Sequence, residues 1–193
     1  MERPGGSIDA ERVSPQAYLI RERAAEYKHE YLDGRIRAMS GATRAHNLIV
    51  INLARELSVQ LKSRPCEVYA SDMRVHVRRT GLYAYPDLAV VCGAPELEDE
   101  WKDTLLNPTL LVEVLSPATE RFDREVKTVE HYRRLDSLAA YLLVAQDAPA
   151  IERWARGEDG VWTRNVVRGL DATLALPAIG CSASLGEVYD RVL

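Results

Sequence analysis

Cysteine is scarce in this chain: Cys66, Cys92 and Cys181 are odd in number, far apart, and form no CxxC pair. Neither a disulfide framework nor a zinc knuckle is expected from that pattern. Long apolar runs are missing as well, so no segment is expected to cross a bilayer as a helix. The opening stretch MERPGGSIDAERVSP has no apolar core of the kind a signal peptide carries, and the expectation is a cytoplasmic protein with no membrane partner. Nor is there a basic excess. With 25 Lys and Arg against 29 Asp and Glu the formal net charge is −4, which argues against an avid, nonspecific nucleic-acid binder. Phosphate binding would have to rest on a local basic surface. Internal repeats and low-complexity segments are also absent.

What is present is an ordinary globular composition, 47% hydrophobic and 28% charged over 193 residues, enough for one domain with a sizeable core. Residues 1–13 read as a flexible tail and 14–193 as a single domain. Ser14 followed by Pro15 makes an N-cap and first helical position. Asp33-Gly34, between HEYL and RIRAM, is the strongest short hairpin signal. In HNLIVINLARELSVQL the apolar positions Val50, Leu53, Ala54, Leu57 and Leu61 recur at helical spacing. Residues 66–79, CEVYASDMRVHVRR, alternate as one strand, and LYAYPDLAVVCG returns as another, antiparallel to it. After the acidic loop ELEDEWKD come an apolar strand, LLVEV, a helix over REVKTVEHYRRL with Val126, Val129 and Leu135 inward, and the strand AAYLLVAQD. A hairpin around GEDG follows. Ser184 and Glu187 have capping-box spacing for a short last helix. Hairpins mixed with one strand–helix–strand unit indicate an α/β domain with a mixed β-sheet flanked by helices.

The stretch LLVEVLSP raises a question of chemistry. Alternation puts Leu111, Glu113 and Leu115 on one face and Leu110, Val112 and Val114 on the other, so both faces are apolar and the strand belongs in the middle of a sheet. An ionised carboxylate there is costly unless it is paired, which leaves a salt bridge, a raised pKa, or a metal ion for Glu113. Asp87, directly after Pro86 in YPDLAVV, repeats the puzzle. If the two strands are neighbours, the carboxylates meet, repel, and raise one pKa. A hard cation such as Mg²⁺ relieves that conflict and is commonly held by one or two carboxylates with water and phosphate. Lys127 stands one helical turn after Asp123, where its ammonium can reach back toward the strand. Two acids, a lysine and a divalent ion make a kit for phosphodiester hydrolysis. The plainer readings are a structural salt bridge, an N-cap role for Asp123, and a snorkelling Lys127.

YPDLAVVCG, LLNPTLLVEVLSPATERFDREVKTVEHYRRL and YLLVAQD, with HEYLDGRI and AHNLIVINL upstream, together resemble the bacterial restriction-endonuclease family within the PD-(D/E)XK nuclease superfamily. The resemblance runs from about Ser14 to the carboxyl terminus. It implies a restriction-endonuclease-like fold, Mg²⁺ (with Mn²⁺ as a substitute) at Asp87 and Glu113, and a further ligand from the backbone carbonyl of Val114. The wider superfamily places a lysine two residues after the glutamate, where this chain has Leu115. In the narrower family a lysine on the next helix takes that place, and Lys127 in FDREVK matches it. Glu30 in HEYLDG matches an acidic position near the superfamily's active site, with an exposed salt bridge as the alternative. His46 and Asn47 open the long helix and could meet a phosphate or simply cap it. Arg74 and Arg78 alternate with Val75 and Val77, giving a basic strand face suited to backbone phosphates or to plain solvent exposure. Tyr132 closes the site or packs on the sheet, packing being the simpler role.

Two functions are consistent with these residues. One is a Mg²⁺-dependent endonuclease acting on DNA, with Lys127 assisting the attacking water and a homodimer supplying two sites. The other is a non-catalytic nucleic-acid or protein interaction module that keeps the nuclease fold.

Overall fold

The computed structural model describes residues 12–39, 41–117 and 119–193. Most of the expected tail lies outside the described residues. Val13 donates its N–H to the Gly34 carbonyl at 2.9 Å and accepts the Tyr31 hydroxyl at 2.8 Å, which ties the start of the described chain to the first hairpin.

Ser14 caps α1 (Pro15–Arg23), its Oγ accepting the Ala17 N–H at 3.1 Å, with Pro15 in the first turn. Asp33 and Gly34 take φ of 48° and 80° and turn β1 (His29–Leu32) into β2 (Arg35–Ala38). Thr43 caps α2 (Arg44–Leu61), which buries Ile49, Leu53, Leu57 and Leu61. The segment 66–79 is not one strand. It is β3 (Cys66–Ala70), a turn, and β4 (Arg74–Val77); the returning segment divides likewise into β5 (Leu82–Ala84) and β6 (Leu88–Cys92). Alternation of side chains carries straight through such a break, so periodicity does not reveal it. Pro86 does mark it, because proline has no N–H for a ladder.

After β7 (Thr104–Leu105), strand β8 (Leu110–Val114) leads into a π-helix (Phe122–His131), and β9 (Ala140–Val144) returns parallel to β8. Then come the hairpin β10 (Ala150–Arg156) and β11 (Trp162–Arg168), the ribbon β12 (Thr173–Leu176) and β13 (Cys181–Ser184), and the short α3 (Leu185–Val188). Ser184 stands at the N-cap of α3 without a side-chain capping hydrogen bond, so the expected capping box does not form.

The strands make a five-stranded sheet, β2-β1-β5-β4-β7, and a six-stranded sheet, β11-β10-β9-β8-β6-β3. One face of the larger sheet packs Val112, Val114 and Leu142 against α2, α3 and the ribbon. The other packs Ala89, Leu111 and Leu143 against Val75, Val77 and Leu105 of the smaller sheet and against Tyr132. Strand β8 is therefore buried on both faces, as its composition requires.

Two expectations fail here. Cys66 and Cys92 are cross-strand partners in the β3–β6 register and are joined by a disulfide; 26 residues of separation concealed a pairing that only the register shows. Cys181 is free and buried. The helix after β8 also turns a different side inward. Its i→i+5 winding, seen where the Tyr132 N–H reaches the Lys127 carbonyl, places Asp123, Lys127, Thr128, His131 and Tyr132 in the interior. Leu135 beyond it is buried, while Val126 is only half-buried; the Val129 side chain lies outside those described. A π-turn takes in one more residue than an α-turn, and spacing judged on a 3.6 period misplaces the buried side.

Candidate active site

The interruption at Tyr85–Asp87 between β5 and β6 creates the site. The β6–β8 ladder sets Leu88 opposite Val112, so one step further Asp87 stands beside Glu113, and the next brings Pro86 opposite Val114. Proline cannot donate there. The Val114 N–H instead goes to Asp87 Oδ2 at 2.7 Å. N–H and C=O of one strand residue point to the same side, so the Val114 carbonyl faces the same gap. Leu115, the next residue, uses its N–H on Val144 and its carbonyl on Gln146, both toward β9. The other oxygen of Asp87 lies 3.2 Å from His46 Nε2, so the amino-terminal turn of α2 fixes this carboxylate.

Glu113 is 5% exposed. Its Oε1 accepts the Tyr132 hydroxyl at 2.6 Å and the Lys127 ammonium at 3.3 Å. Lys127 is itself enclosed: Nζ lies 2.6 Å from Glu30 Oε1 and 3.1 Å from Asp123 Oδ1. Burial pushes the Glu113 carboxyl well above the usual glutamate range; Lys127 pulls it down, and Asp123, Asp87 and Glu30 push it further up. Burial by itself would lower Lys127, but the carboxylates of Glu113, Glu30 and Asp123 more than reverse that and hold it raised, as a permanent ammonium. Tyr132, buried beside Glu113, is held firmly protonated as a donor.

These groups line one pocket of about 420 Å³, bordered by β1–β2, α2, the end of β8 and the π-helix. Its wall carries four carboxylates, Asp87, Glu113, Glu30 and Asp123, of which the last three pair with the buried Lys127 ammonium, and Lys28 and Arg37 stand on the same wall. Hard oxygen donors with an excess of negative charge suit Mg²⁺ or Mn²⁺. Among the described residues no three His, Cys, Asp or Glu side chains group to hold a metal.

The sequence-predicted residues divide clearly. Asp87, Glu113, Val114, Lys127, Glu30, His46 and Asn47 all border the pocket; Asn47 spends its side-chain N–H on the Thr43 carbonyl at 2.8 Å, within the cap of α2. Arg74 is not on a phosphate-facing surface. It is 2% exposed, donating to Thr104 and Tyr85 and paired with Asp103 at 2.9 Å. Alternation told which residues share a face of β4 but not that α1 and the loop before β7 cover it. Arg78 is exposed in the turn after β4, outside the pocket lining. Tyr132 does more than pack, since its hydroxyl holds Glu113. Spacing puts Asp123 one helical turn before Lys127 but does not mark it as a pocket residue, and it gives no role to Arg37 and Phe122, both on the pocket wall. Arg37 had a signal: the Asp33-Gly34 hairpin sets it opposite Glu30.

A restriction-endonuclease-like α/β nuclease fold is what this arrangement defines. The described structure overlays a crystal structure of a putative nuclease belonging to DUF820 from Anabaena variabilis with a TM-score of 0.72, covering 94% of this chain and 99% of that one at 16% identity, a likeness of fold. Residues 15–186 match the Uma2 family, described as putative restriction endonuclease, and the chain belongs to that family. Two relatives from Synechocystis sp., the uncharacterized proteins slr1290 and sll1609, are each 33% identical. The first match covers 92% of both chains, the second 81% of this chain and 88% of that protein. Membership supports nuclease activity in general and a nucleic-acid substrate. Among the described residues no helix is long and apolar enough to cross a membrane.

Proposed function

We propose that this protein is an endonuclease that hydrolyses phosphodiester bonds in DNA with Mg²⁺, or Mn²⁺ in its place, held by Asp87, Glu113 and the Val114 carbonyl. The observation that carries the reading is the meeting, at one break between two sheets, of two cross-strand carboxylates with a buried ammonium 3.3 Å from Glu113. A divalent cation bound there supplies neutralisation of phosphoryl charge and acidification of a water. The chain's own groups do the rest. His46 and the Val114 N–H hold Asp87 in one orientation. Tyr132 holds Glu113. Lys127 keeps its proton, so it serves as a charged donor that orients the attacking water and stabilises the phosphorane-like charge; it does not abstract a proton. Glu30 and Asp123 position that ammonium. Cutting both strands of a duplex is most simply arranged by two sites on a twofold axis, and a homodimer is part of this proposal.

The non-catalytic reading has one observation in its favour, the lack of a three-side-chain metal group among the described residues. Incubation with supercoiled, linear and single-stranded DNA, and with RNA, in Mg²⁺ or Mn²⁺ with and without chelator separates the two. Nicking or linearisation of supercoiled DNA that chelator abolishes is the expected result. No metal-dependent cleavage of any of these substrates favours the interaction module.

A further inference from the structure

With Arg74 buried and Arg78 away from the pocket, the question is which cation meets the polynucleotide backbone. Arg37 answers it on geometry. It faces Glu30 across the β1–β2 hairpin, and directly opposed residues extend over the same face. Glu30 reaches down to Lys127; Arg37 stays exposed above it on the pocket wall. Its guanidinium lies 4.5 Å from the centre of the Phe122 ring, and the Lys127 ammonium lies 5.7 Å from the same ring. Both the caged ammonium and the exposed guanidinium therefore neighbour the Phe122 ring. Among the described residues Arg37 has no ion pair, whereas the neighbouring rim cation Lys28 is engaged with the Ser71 carbonyl at 2.9 Å and Asp72 at 2.8 Å. A guanidinium over an aromatic ring is attracted to the ring face, and its N–H edge suits a phosphate's paired oxygens.

We propose that Arg37, held over Phe122, binds the backbone phosphate that adjoins the one positioned over Asp87 and Glu113. This deepens the nuclease reading and rests on it. The contact is independent of base identity and gives the acidic pocket a cation to draw the polyanion in, as an overall charge of −4 cannot. Phe122 preorganises the guanidinium and takes no part in chemistry.

The test is fluorescence anisotropy with labelled duplex and single-stranded DNA of unrelated sequences, across a salt series, in Ca²⁺ to hold the substrate uncut, together with cleavage kinetics in Mg²⁺. Arg37→Ala is expected to weaken binding about tenfold for every sequence and to reduce the slope of log K against log salt by about 0.9 on duplex and about 0.7 on single strands. Arg37→Lys keeps the slope with part of the affinity. Phe122→Leu keeps the slope and loses a few-fold in affinity, because the charge remains without its platform. In Mg²⁺ the loss falls mainly on KM. Arg78→Ala, exposed and off the pocket, leaves slope and affinity unchanged. Wild-type slope and affinity in Arg37→Ala, with melting temperature unaltered and wild-type cleavage intact, overturn this assignment and leave the nuclease reading standing. A wild-type protein that neither binds nor cuts any nucleic acid overturns both.

Discussion

Two buried clusters of charge meet at Tyr85 and differ in how their charges balance. On one side, beneath α1, Arg74 and Arg23 share Asp103, Arg23 also holds Asp99 at 2.7 Å, and Glu22 accepts the His29 N–H at 2.7 Å and the Tyr85 hydroxyl at 3.1 Å. Two cations, Arg74 and Arg23, and three acids, Asp103, Asp99 and Glu22, each find a partner there. On the other side Tyr85 borders the pocket, where Glu113, Glu30 and Asp123 surround Lys127. Burial of charge is common to both and so identifies nothing by itself. What separates the site from the structural network is that three carboxylates share one buried ammonium beside an open cavity, where a proton or a cation from outside offsets the remaining negative charge.

The contrast shows in the direction each acid is pushed. Arg23, hydrogen-bonded to Asp103 with Arg74 close by, holds that carboxyl well below the usual aspartate range against the effect of burial, whereas Glu113 is pushed up.

The largest way to break the comparison is to remove its central cation. Lys127→Ala leaves Glu113, Glu30 and Asp123 buried without a counter-ion, and both cleavage and stability should suffer: cleavage by about a hundredfold or more, the scale of one lost transition-state donor, and folding by about 3–5 kcal/mol. Added Mg²⁺ should raise the melting temperature of this variant more than that of wild type, because it replaces lost positive charge. Thermal melts with and without metal check it, and an equal metal response in both proteins counts against a caged role for Lys127. Arg74→Met is the matched change in the structural network. It should cost a similar about 3–5 kcal/mol, yet the folded fraction should cut DNA within a few-fold of wild type and show the wild-type response to metal. A large loss of activity in protein shown to be folded would place Arg74 in the site.

Tyr132→Phe has a smaller effect. It removes one hydrogen bond to a carboxylate, worth about 1.5–3 kcal/mol, and should lower cleavage about tenfold while metal still binds, because Glu113 keeps Lys127. Single-turnover cleavage beside metal titration distinguishes this from simple loss of packing.

The pH profiles sharpen the contrast most gently. Asp103, depressed when folded, contributes stability that is present above its ordinary value and lost as pH falls through its folded one. Glu113, raised when folded, does the opposite: without metal, stability declines as pH rises from its ordinary value toward its folded one. Asp103→Asn should therefore flatten the acid limb of the melting profile, and Glu113→Gln should flatten the limb above the ordinary glutamate range in chelator. Melting curves against pH decide, and swapped limbs would contradict the assignment.

Much of the frame was legible in the sequence because its signals are local. Ser14-Pro15, Asp33-Gly34 and the doubly apolar strand around Glu113 each state their geometry within a few residues. The break at Tyr85–Asp87 was written in Pro86 but hidden by alternation that runs through it. The buried side of the π-helix, the covering of Arg74 and the pairing of Cys66 with Cys92 depend on winding, layer contacts and register, which residue spacing does not encode. The candidate carboxylates were visible as anomalies in an apolar strand; the cage around Lys127 was legible only in part, because Asp123 stands one turn before it on the same helix whereas Glu30 comes from β1.

The claim that the pocket, and not the network beneath α1, is short of positive charge is tested most directly by calorimetric titration of Mn²⁺ into wild type, Asp87→Asn, Glu113→Gln and Asp99→Asn. Saturable binding in wild type and Asp99→Asn, with binding weakened at least about tenfold in Asp87→Asn and Glu113→Gln, is the result predicted. Binding of equal strength in all four proteins, or in none, would contradict it.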